Sequence, residues 1–442
     1  MSILFEYGKW ERINNKDALK PMLQDIWQQR LLVDAETELG EEEKDLRYQP
    51  FLKFDGNQIK ANNYVGFIQN GEEVIEIYPK VFKEVKDIEQ NKELMLRHIF
   101  YWFNYCRKWK FPFNQASLDT IDINEFPELI INLIANQFFE TVSKQPLTMY
   151  QQVEEALQTP RGSINFKRYI NNSLSHGNFQ NVECDYEPFL FDNKVNRIIK
   201  FCSRLLMRQT KISENLRLLQ EVIFILDDVE DLPCTIHDVE KTSFNSFFDE
   251  YSKVMDSCRL ILNQQLYSNN LYDLSQWCLL FPMEYIFEDF LAGFLETHFS
   301  KEWHVKYQKS EMNLSNNPAV FRMQHDIFLT HKATKREIIV DAKYKLRDKN
   351  YKSDPKRGIA QNDLYQMVSY AFKRGCNEVL LVYPNLNDEL KDADRFEIES
   401  KFEAKERVNV TAVEIPFTSI ANFEKLDDTL FKKLESILKT FQ

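Results

Sequence analysis

The stretch Arg336–Leu346, REIIVDAKYKL, decides the fold of the last third of this sequence. Its β-branched residues at 338–340 favour an extended strand. In a strand, side chains at i and i+2 share one face and lie about 6.7 Å apart along the chain. Asp341 and Lys343 therefore project together, and Tyr344 faces the other way. The stretch predicts an apolar strand that carries a carboxylate and an ammonium on one side.

A second carboxylate precedes this strand. Asp326 lies 15 residues before Asp341, in the apolar segment FRMQHDIFL. The polar sequence THKATKR between the two segments can turn the chain into a hairpin. Such a hairpin would place Asp326 beside Asp341, so that two carboxylates and Lys343 converge.

This trio suits metal-assisted hydrolysis of a phosphodiester. The carboxylates of Asp326 and Asp341 can hold one or two Mg²⁺ ions, which polarise the phosphate and lower the pKa of an attacking water. Lys343 can orient that water or stabilise the developing charge. Hard oxygen ligands favour Mg²⁺ over zinc, so Mg²⁺ is the predicted cofactor, and Mn²⁺ can substitute for it.

The tripeptide itself carries little information. D/E-x-K occurs at seven other places in the chain, for example at Glu84-Lys86. Asp341-Ala342-Lys343 differs because it lies in an apolar strand that follows a second strand with an isolated aspartate. The alternative is a surface ion pair on an edge strand.

Two helices can add polar groups to this site. Glu284 and Glu288 stand at i,i+4 in PMEYIFEDF, and either can reach the metals from the helix before the sheet, or both are solvated. Gln366 and Tyr370 stand at i,i+4 in QNDLYQMVSYAF, and Asp363 precedes Gln366 by three residues. This polar stripe either faces the active site or is ordinary helix surface.

Glycine is scarce, with ten residues in 442. Gly66 and Gly71 have the spacing of a phosphate-binding P-loop, but Glu72 and Glu73 stand where Lys and Ser or Thr are needed. No G-x-G-x-x-G occurs. The sequence therefore predicts that this chain binds no nucleotide on its own.

Charge is distributed unevenly. The formal net charge of -12 argues against a protein that coats nucleic acid. Residues 332–357 nevertheless hold ten Lys or Arg and four acidic residues. A basic patch beside a metal site is what a DNA groove needs. The alternative is a solvated, lysine-rich loop.

The seven cysteines are scattered and form no C-x-x-C pair, which is typical of buried thiols in a reducing compartment. The first residues, MSILFEYGKWER, do not resemble a signal peptide because charge interrupts them after three apolar residues. Apolar runs are shorter than the roughly 18 residues that indicate a membrane span. We expect a cytoplasmic protein without membrane contact.

Patterns along the chain divide it into three parts. The segment NYVGFIQNGEEVIEIYPKVF predicts a β hairpin that turns at Asn70-Gly71. Residues 1–150 are expected to form an α+β region that contains this hairpin, and residues 151–269 a mostly helical connection. Residues 270–442 show an α-β-β-α-β order, which predicts an α/β domain with a mixed sheet.

Together these motifs resemble a known family. Asp326, Asp341-Ala342-Lys343, Glu288 and Gln366 are similar to the site of the PD-(D/E)xK nucleases, whose fold is restriction-endonuclease-like. More narrowly, HDI, IVDAKYK and DLYQMVSYA resemble McrC, the nuclease subunit of McrBC-type restriction systems. VGFIQNGEEVIEIYPKVF, PRGSINF and NRIIK resemble McrC segments in the same order, so the match spans roughly residues 60–385.

The resemblance implies a nuclease that works on double-stranded DNA with a separate McrB-like AAA+ GTPase hexamer. The amino-terminal region, residues 1–150, would bind the ring and stimulate GTP hydrolysis, and residues 270–442 would form the PD-(D/E)xK nuclease domain. The partner would choose the target, typically modified cytosine. The site residues it implies are catalytic Asp326, Asp341, Lys343 and Gln366, with Glu288, Asp326 and Asp341 as metal ligands. His325 stands where the superfamily usually has proline.

Two other functions stay open. One is a stand-alone repair or recombination nuclease that needs no NTPase partner. The other is a non-catalytic, GTPase-activating scaffold that only grips DNA, against which the intact set Asp326, Asp341 and Lys343 argues.

Overall fold

The computed structural model describes most of the chain, in ranges separated by gaps. These ranges are residues 2–13, 19–24, 50–71, 73–107, 125–150, 152–242, 244, 248–265, 276–307, 312–317, 319–323, 325–347, 354–385, 392–399 and 407–441. Within them, no helix has the length and apolar character needed to cross a bilayer. The predicted boundary at residues 269–270 lies outside the described residues.

Twenty strands are described in these ranges. In chain order they are β1 Ser2–Phe5, β2 Glu11–Arg12, β3 Leu52–Asp55, β4 Gln58–Ala61, β5 Tyr64–Asn70, β6 Glu73–Tyr78, β7 Met149–Tyr150, β8 Val153–Leu157, β9 Ser163–Ile164, β10 Val182–Tyr186, β11 Phe189–Leu190, β12 Gln276–Pro282, β13 Trp303–Tyr307, β14 Met312–Asn316, β15 Ala319–Met323, β16 Ile327–His331, β17 Glu337–Ala342, β18 Glu378–Pro384, β19 Asp394–Glu399 and β20 Arg407–Ile415.

Residues 19–24 are helical, and ten α-helices have both of their ends within the same ranges. They are α1 Ile88–Tyr105, α2 Phe126–Lys144, α3 Phe166–Arg168, α4 Lys194–Met207, α5 Ser213–Ile225, α6 Ile236–Glu240, α7 Asp249–Gln265, α8 Met283–Phe299, α9 Gln361–Arg374 and α10 Leu426–Lys439. Short 3₁₀ turns occur at Lys80–Phe82, Leu174–His176 and Phe423–Lys425, and a π turn at Tyr169–Ser173.

The chain forms two compact units. The first contains Met1–Phe126 and Gln276–Gln442, and the second contains Pro127–Ser275. The mixed α/β architecture with mixed sheets agrees with the predicted fold class. The division into residues 1–150, 151–269 and 270–442 follows the chain rather than spatial contacts, and it stays a prediction.

A six-stranded mixed sheet, in the order β13-β16-β17-β18-β20-β19, dominates the carboxy-terminal part of the first unit. The predicted hairpin is confirmed, because β16 and β17 pair antiparallel. β18 then pairs parallel with both β17 and β20. Its sequence EVLLVYP is almost continuously apolar, as expected for a parallel strand that is buried on both faces.

Helices cover both faces of β17. Ile339 belongs to an apolar cluster that includes Met367 and Ala371 of α9. Tyr344, just beyond the strand, packs instead against Phe287 of α8, with ring centres 5.8 Å apart. Because side chains alternate along a strand, Asp341 and Lys343 share the face of Ile339, which is the face that α9 covers.

A four-stranded sheet, in the order β1-β6-β5-β12, forms the other half of the first unit. The predicted hairpin at Asn70-Gly71 is confirmed, since β5 and β6 pair antiparallel up to Asn70 and Glu73. Gly66 has a φ of +137°, and an added Cβ would lie 1.9 Å from the Leu279 carbonyl oxygen of β12. This glycine serves strand packing and not phosphate binding.

The second unit combines helices with two small sheets, β8-β10-β9 and β11-β7. Its amphipathic helix α4 is preceded by Asn193, whose side chain accepts a hydrogen bond from the Asn196 N–H as an N-cap. Five large apolar side chains around the small sheets are more than half exposed, and we call them the apolar surface: Tyr150, Phe166, Ile170, Phe179 and Phe189.

All seven cysteines are described, and all are buried without a disulfide bond. The prediction of buried thiols without a disulfide frame is therefore confirmed.

Candidate active site

The register of the β16–β17 hairpin places the two predicted carboxylates side by side. Ile327 pairs with Val340 across the hairpin, so Asp326 stands opposite Asp341 at the next position. The N–H of Ala342 donates a hydrogen bond of 2.9 Å to Oδ2 of Asp326. This bond holds the Asp326 carboxylate at the end of β17.

The lysine of the motif completes this group. Nζ of Lys343 lies 2.9 Å from Oδ2 of Asp341, and the Lys343 N–H donates to the Val382 carbonyl, which extends the parallel pairing with β18. Asp341 is buried, with 3% of its surface exposed. The structure therefore brings together Asp326, Asp341 and Lys343, as the sequence predicted.

Burial and mutual repulsion shape the protonation of this trio. Burial raises the pKa of Asp326, and the charge of Asp341 raises it further. Burial also raises the pKa of Asp341, although Lys343 opposes that effect. For Lys343, burial would lower the pKa, but the two carboxylates outweigh it and raise the pKa. The carboxylates are thus poised to exchange protons for a bound cation.

Among the described residues, no group of three or more His, Cys, Asp or Glu side chains is arranged to hold a metal ion. Two carboxylates nevertheless fit Mg²⁺, which is commonly held by one or two carboxylates, with water and phosphate oxygens as its other ligands. The donor set of Asp326 and Asp341 contains only hard oxygen atoms, so its chemistry matches that ion.

Glu288 lies on the helix that packs on the other face of the sheet from α9. It lies on α8 and is half-buried near Tyr307. Burial raises the pKa of Tyr307, and the charges of Asp289, Glu288 and Asp326 raise it further. Glu288 thus shares a neighbour with Asp326, but its role as a metal ligand stays a prediction.

Gln366 lies on α9, on the same side of the sheet as Asp341. Its Nε2 donates a hydrogen bond of 3.4 Å to the Tyr370 hydroxyl. The Tyr370 ring meets His325 edge to face, with ring centres 5.1 Å apart. His325, which stands where the superfamily usually has proline, therefore packs under the helix that carries Gln366. The catalytic role of Gln366 stays a prediction.

One ion pair at the site had not been singled out from the sequence. Nζ of Lys345 lies 3.0 Å and 2.9 Å from the two carboxylate oxygens of Asp363 on α9. Asp363 also acts electrostatically on Asp341 and Lys343, so it lies close to the trio. The signal in the sequence is the spacing, because Lys345 follows Lys343 by two residues, as Lys343 follows Asp341.

A buried polar cluster adjoins the site from the four-stranded sheet. Glu6 follows β1 and is fully buried, and its Oε2 accepts a hydrogen bond of 3.2 Å from the Lys80 N–H. Lys80 Nζ lies 4.0 Å from the centre of the Tyr344 ring. The charge of Lys80 also acts on Glu284, which is half-buried with its Oε2 shielded from solvent. No local pattern could reveal these contacts.

The basic stretch 332–357 is only partly a surface. Arg347 is buried and donates to the Asp394 carboxylate and the Arg357 carbonyl. Lys343 is engaged with Asp341. The predicted DNA-facing patch is therefore smaller than the composition of this stretch indicated.

Comparison with known proteins now bears on this geometry. Residues 59–384 match a family described as the McrBC 5-methylcytosine restriction system component. The chain belongs to this McrBC family. The match covers the β5–β6 hairpin of the four-stranded sheet and the second unit. It also covers Asp326, the Asp341-Ala342-Lys343 motif and α9. No curated protein matches the chain.

Two solved structures are similar to it. One is a chain of the Thermococcus gammatolerans assembly of McrB AAA+ hexamers with bound McrC, with 18% identity, a TM-score of 0.70, and coverage of 98% of this chain and 99% of that chain. The other is from a Thermococcus gammatolerans McrBC complex, with 19% identity, a TM-score of 0.51, and coverage of 66% and 86%. At these identities the likeness shows a common fold.

Proposed function

We propose that this McrBC family member is the McrC-like, Mg²⁺-dependent DNA endonuclease subunit of a GTP-driven, modification-dependent restriction complex. The observation that carries the proposal is the convergence of Asp326, Asp341 and Lys343 at the ends of two paired strands. Hairpin, parallel strands and covering helices agree with a PD-(D/E)xK fold. The family match supports the restriction setting.

In this proposal the chain's own residues divide the work. Asp326 and Asp341 would hold Mg²⁺, with Glu288 as a further predicted ligand. When bound, this ion polarises the phosphate and makes water more acidic. Lys343 orients the attacking water and stabilises charge on the phosphate oxygens. Gln366 positions the nucleophile or the phosphate from α9.

The proposed partner is an McrB-like AAA+ GTPase hexamer. A related assembly contains McrC bound to McrB hexamers. The glycines of this chain support the same division, because Gly66 and Gly71 build a β hairpin. The energy source then lies on the partner, and both proteins are expected in the cytoplasm.

The apolar surface of the second unit is a candidate contact for that ring. Its rings form at least one local pair, since Tyr150 and Phe189 lie 5.0 Å apart. Phe166 and Ile170 stand at i,i+4. The Tyr169 hydroxyl donates a hydrogen bond to the Phe179 carbonyl. Large exposed apolar side chains are typical of protein interfaces. The predicted partner-binding region 1–150 overlaps this surface only at Tyr150, and it stays a prediction.

Cleavage by the reconstituted complex tests this proposal. Replacing Lys343 by alanine should abolish cutting of methylated duplex DNA while the partner still hydrolyses GTP. Cutting by the purified chain alone would favour a stand-alone nuclease instead. If the wild-type complex binds DNA and stimulates GTP hydrolysis but never cuts, the non-catalytic scaffold is the better function.

A further inference from the structure

Lys345 and Asp363 form a second carboxylate–lysine pair beside Asp341 and Lys343. Lys345 lies two residues after Lys343, beyond the end of β17, and its side chain reaches Asp363 of α9. Its ammonium engages both oxygens of Asp363, whose side chain is only 11% exposed, while the Lys345 side chain is 57% exposed. The carboxylate is thus anchored and the ammonium stands at the solvent rim.

The surroundings place this ammonium next to the cutting site. Asp363 acts electrostatically on both Asp341 and Lys343, and Glu284 feels the charges of Lys343 and Lys345. An ammonium has three N–H donors, and the two oxygens of Asp363 take two of them. The third N–H can donate to an anion that approaches from solvent.

The bidentate pair also restricts the motion of the lysine. A free lysine side chain loses up to about 2 kcal/mol of rotamer entropy when it is immobilised. The two hydrogen bonds to Asp363 restrict the Lys345 side chain before any phosphate binds, so much of this entropy is already lost. A preorganised cation at the rim of a carboxylate site suits a DNA backbone phosphate, because it compensates the repulsion between phosphate and carboxylates.

We propose that Lys345 binds the backbone phosphate next to the scissile one, and that Asp363 is the positioning residue that holds Lys345 for this contact. The inference rests on the proposed nuclease function and adds a DNA-binding residue and its support to it. Lys343 acts on the scissile phosphate, and Lys345 acts on its neighbour along the same strand.

The test compares Lys345→Met and Asp363→Asn with a matched control. Lys432→Met removes another lysine that pairs with an aspartate, Asp428, on the exposed surface of α10. Equilibrium binding of a short fluorescent duplex to the full-length chain is measured without Mg²⁺ over a range of salt concentrations. Cleavage is measured with the chain in complex with its AAA+ partner.

For Lys345→Met we expect roughly fivefold weaker DNA binding, and a salt slope reduced by about one unit, because one phosphate contact is lost. Lys432→Met should leave both unchanged. An unchanged slope and affinity in Lys345→Met would overturn the phosphate contact.

The role of Asp363 is tested by a double-mutant cycle. Asp363→Asn should lower the cleavage rate in the presence of Lys345 and have no further effect in the Lys345→Met background, since it acts through that lysine. Additive losses would overturn the positioning role. Absence of cleavage by the wild-type complex would refute the nuclease function, whereas the binding measurements decide the Lys345 contact by themselves.

Discussion

Nζ of Lys80 lies 4.0 Å from the centre of the Tyr344 ring, and Tyr344 is the residue after Lys343. The same ammonium lies 3.6 Å from Oε1 of the buried Glu6. The 3₁₀ turn after β6 thus contacts the segment just beyond β17, which carries the proposed catalytic lysine, Lys343. The four-stranded sheet therefore supports the candidate site from outside the six-stranded sheet.

Replacing Lys80 by methionine should destabilise the protein and weaken DNA cleavage. The cation above the ring contributes about 0.5–2 kcal/mol, and Glu6 would lose its nearest positive charge. Urea unfolding should show a loss of about 1–3 kcal/mol. Lys432→Met is the control and should change stability by less than about 0.5 kcal/mol. Equal stability of the two variants would contradict this role of Lys80.

Glu6 should make stability depend on pH. Burial raises its pKa from 4.5 to about 7, although Lys80 opposes the shift. Between these two values the folded state holds a proton that the unfolded state releases, so stability falls as pH rises from 4.5 to 7. Glu6→Gln, which stays neutral, should gain up to about 3 kcal/mol over wild type above pH 7. Near pH 4.5 wild type and Glu6→Gln should have nearly the same free energy of unfolding.

Thermal or urea unfolding of both proteins at pH 5 and pH 8 measures this difference. A constant difference between wild type and Glu6→Gln across that range would show that Glu6 titrates normally.

Gly293 of α8 permits a close approach to α1. A Cβ at this position would lie 1.7 Å from the Tyr105 carbonyl oxygen, so Gly293→Ala must move one helix. We expect a loss of about 3 kcal/mol or more, or failure to fold. Gly71→Ala is the control, since nothing lies within 4 Å of its added Cβ and the main cost is its φ of +61°. That cost is about 1–2 kcal/mol. A smaller loss for Gly293→Ala than for Gly71→Ala would contradict the packing.

The apolar surface should matter for the partner and not for folding. Replacing Phe166 and Phe179 by serine removes two rings that are each 67% exposed, so stability should change little. Stimulation of the partner's GTP hydrolysis should fall at least about tenfold, as expected for loss of interface anchors. Phe224→Ser in the same unit is the control, with a ring that is 81% exposed. Full stimulation by the double variant would rule out this surface as the contact.

Local patterns in the sequence predicted local structure well. The β16–β17 hairpin and the turn at Asn70-Gly71 follow from neighbouring residues, so the meeting of Asp326 with Asp341 was foreseeable. The alternation after Asp341 pointed equally to Lys345, but its partner Asp363 comes from a helix whose packing no short pattern specifies.

Pairings between strands that are distant in the sequence could not be predicted from local patterns. β1 pairs parallel with β6, and β12 pairs with β5 across more than 200 residues, although no local signal encodes either partner. The contacts of Glu6 and Lys80 with the region of Tyr344 depend on these pairings. The first compact unit likewise joins the two ends of the sequence, whereas the sequence-based division followed the chain order.

The most direct test of the central claim replaces Asp341 by alanine in the complex with the AAA+ partner and measures cleavage of methylated duplex DNA alongside GTP hydrolysis. Glu84→Ala, from another D/E-x-K tripeptide on the surface, is the matched control. We predict that Asp341→Ala loses cleavage by at least about a thousandfold, while GTP hydrolysis and the Glu84→Ala complex stay at wild-type rates. Cleavage by Asp341→Ala at the wild-type rate would contradict the account.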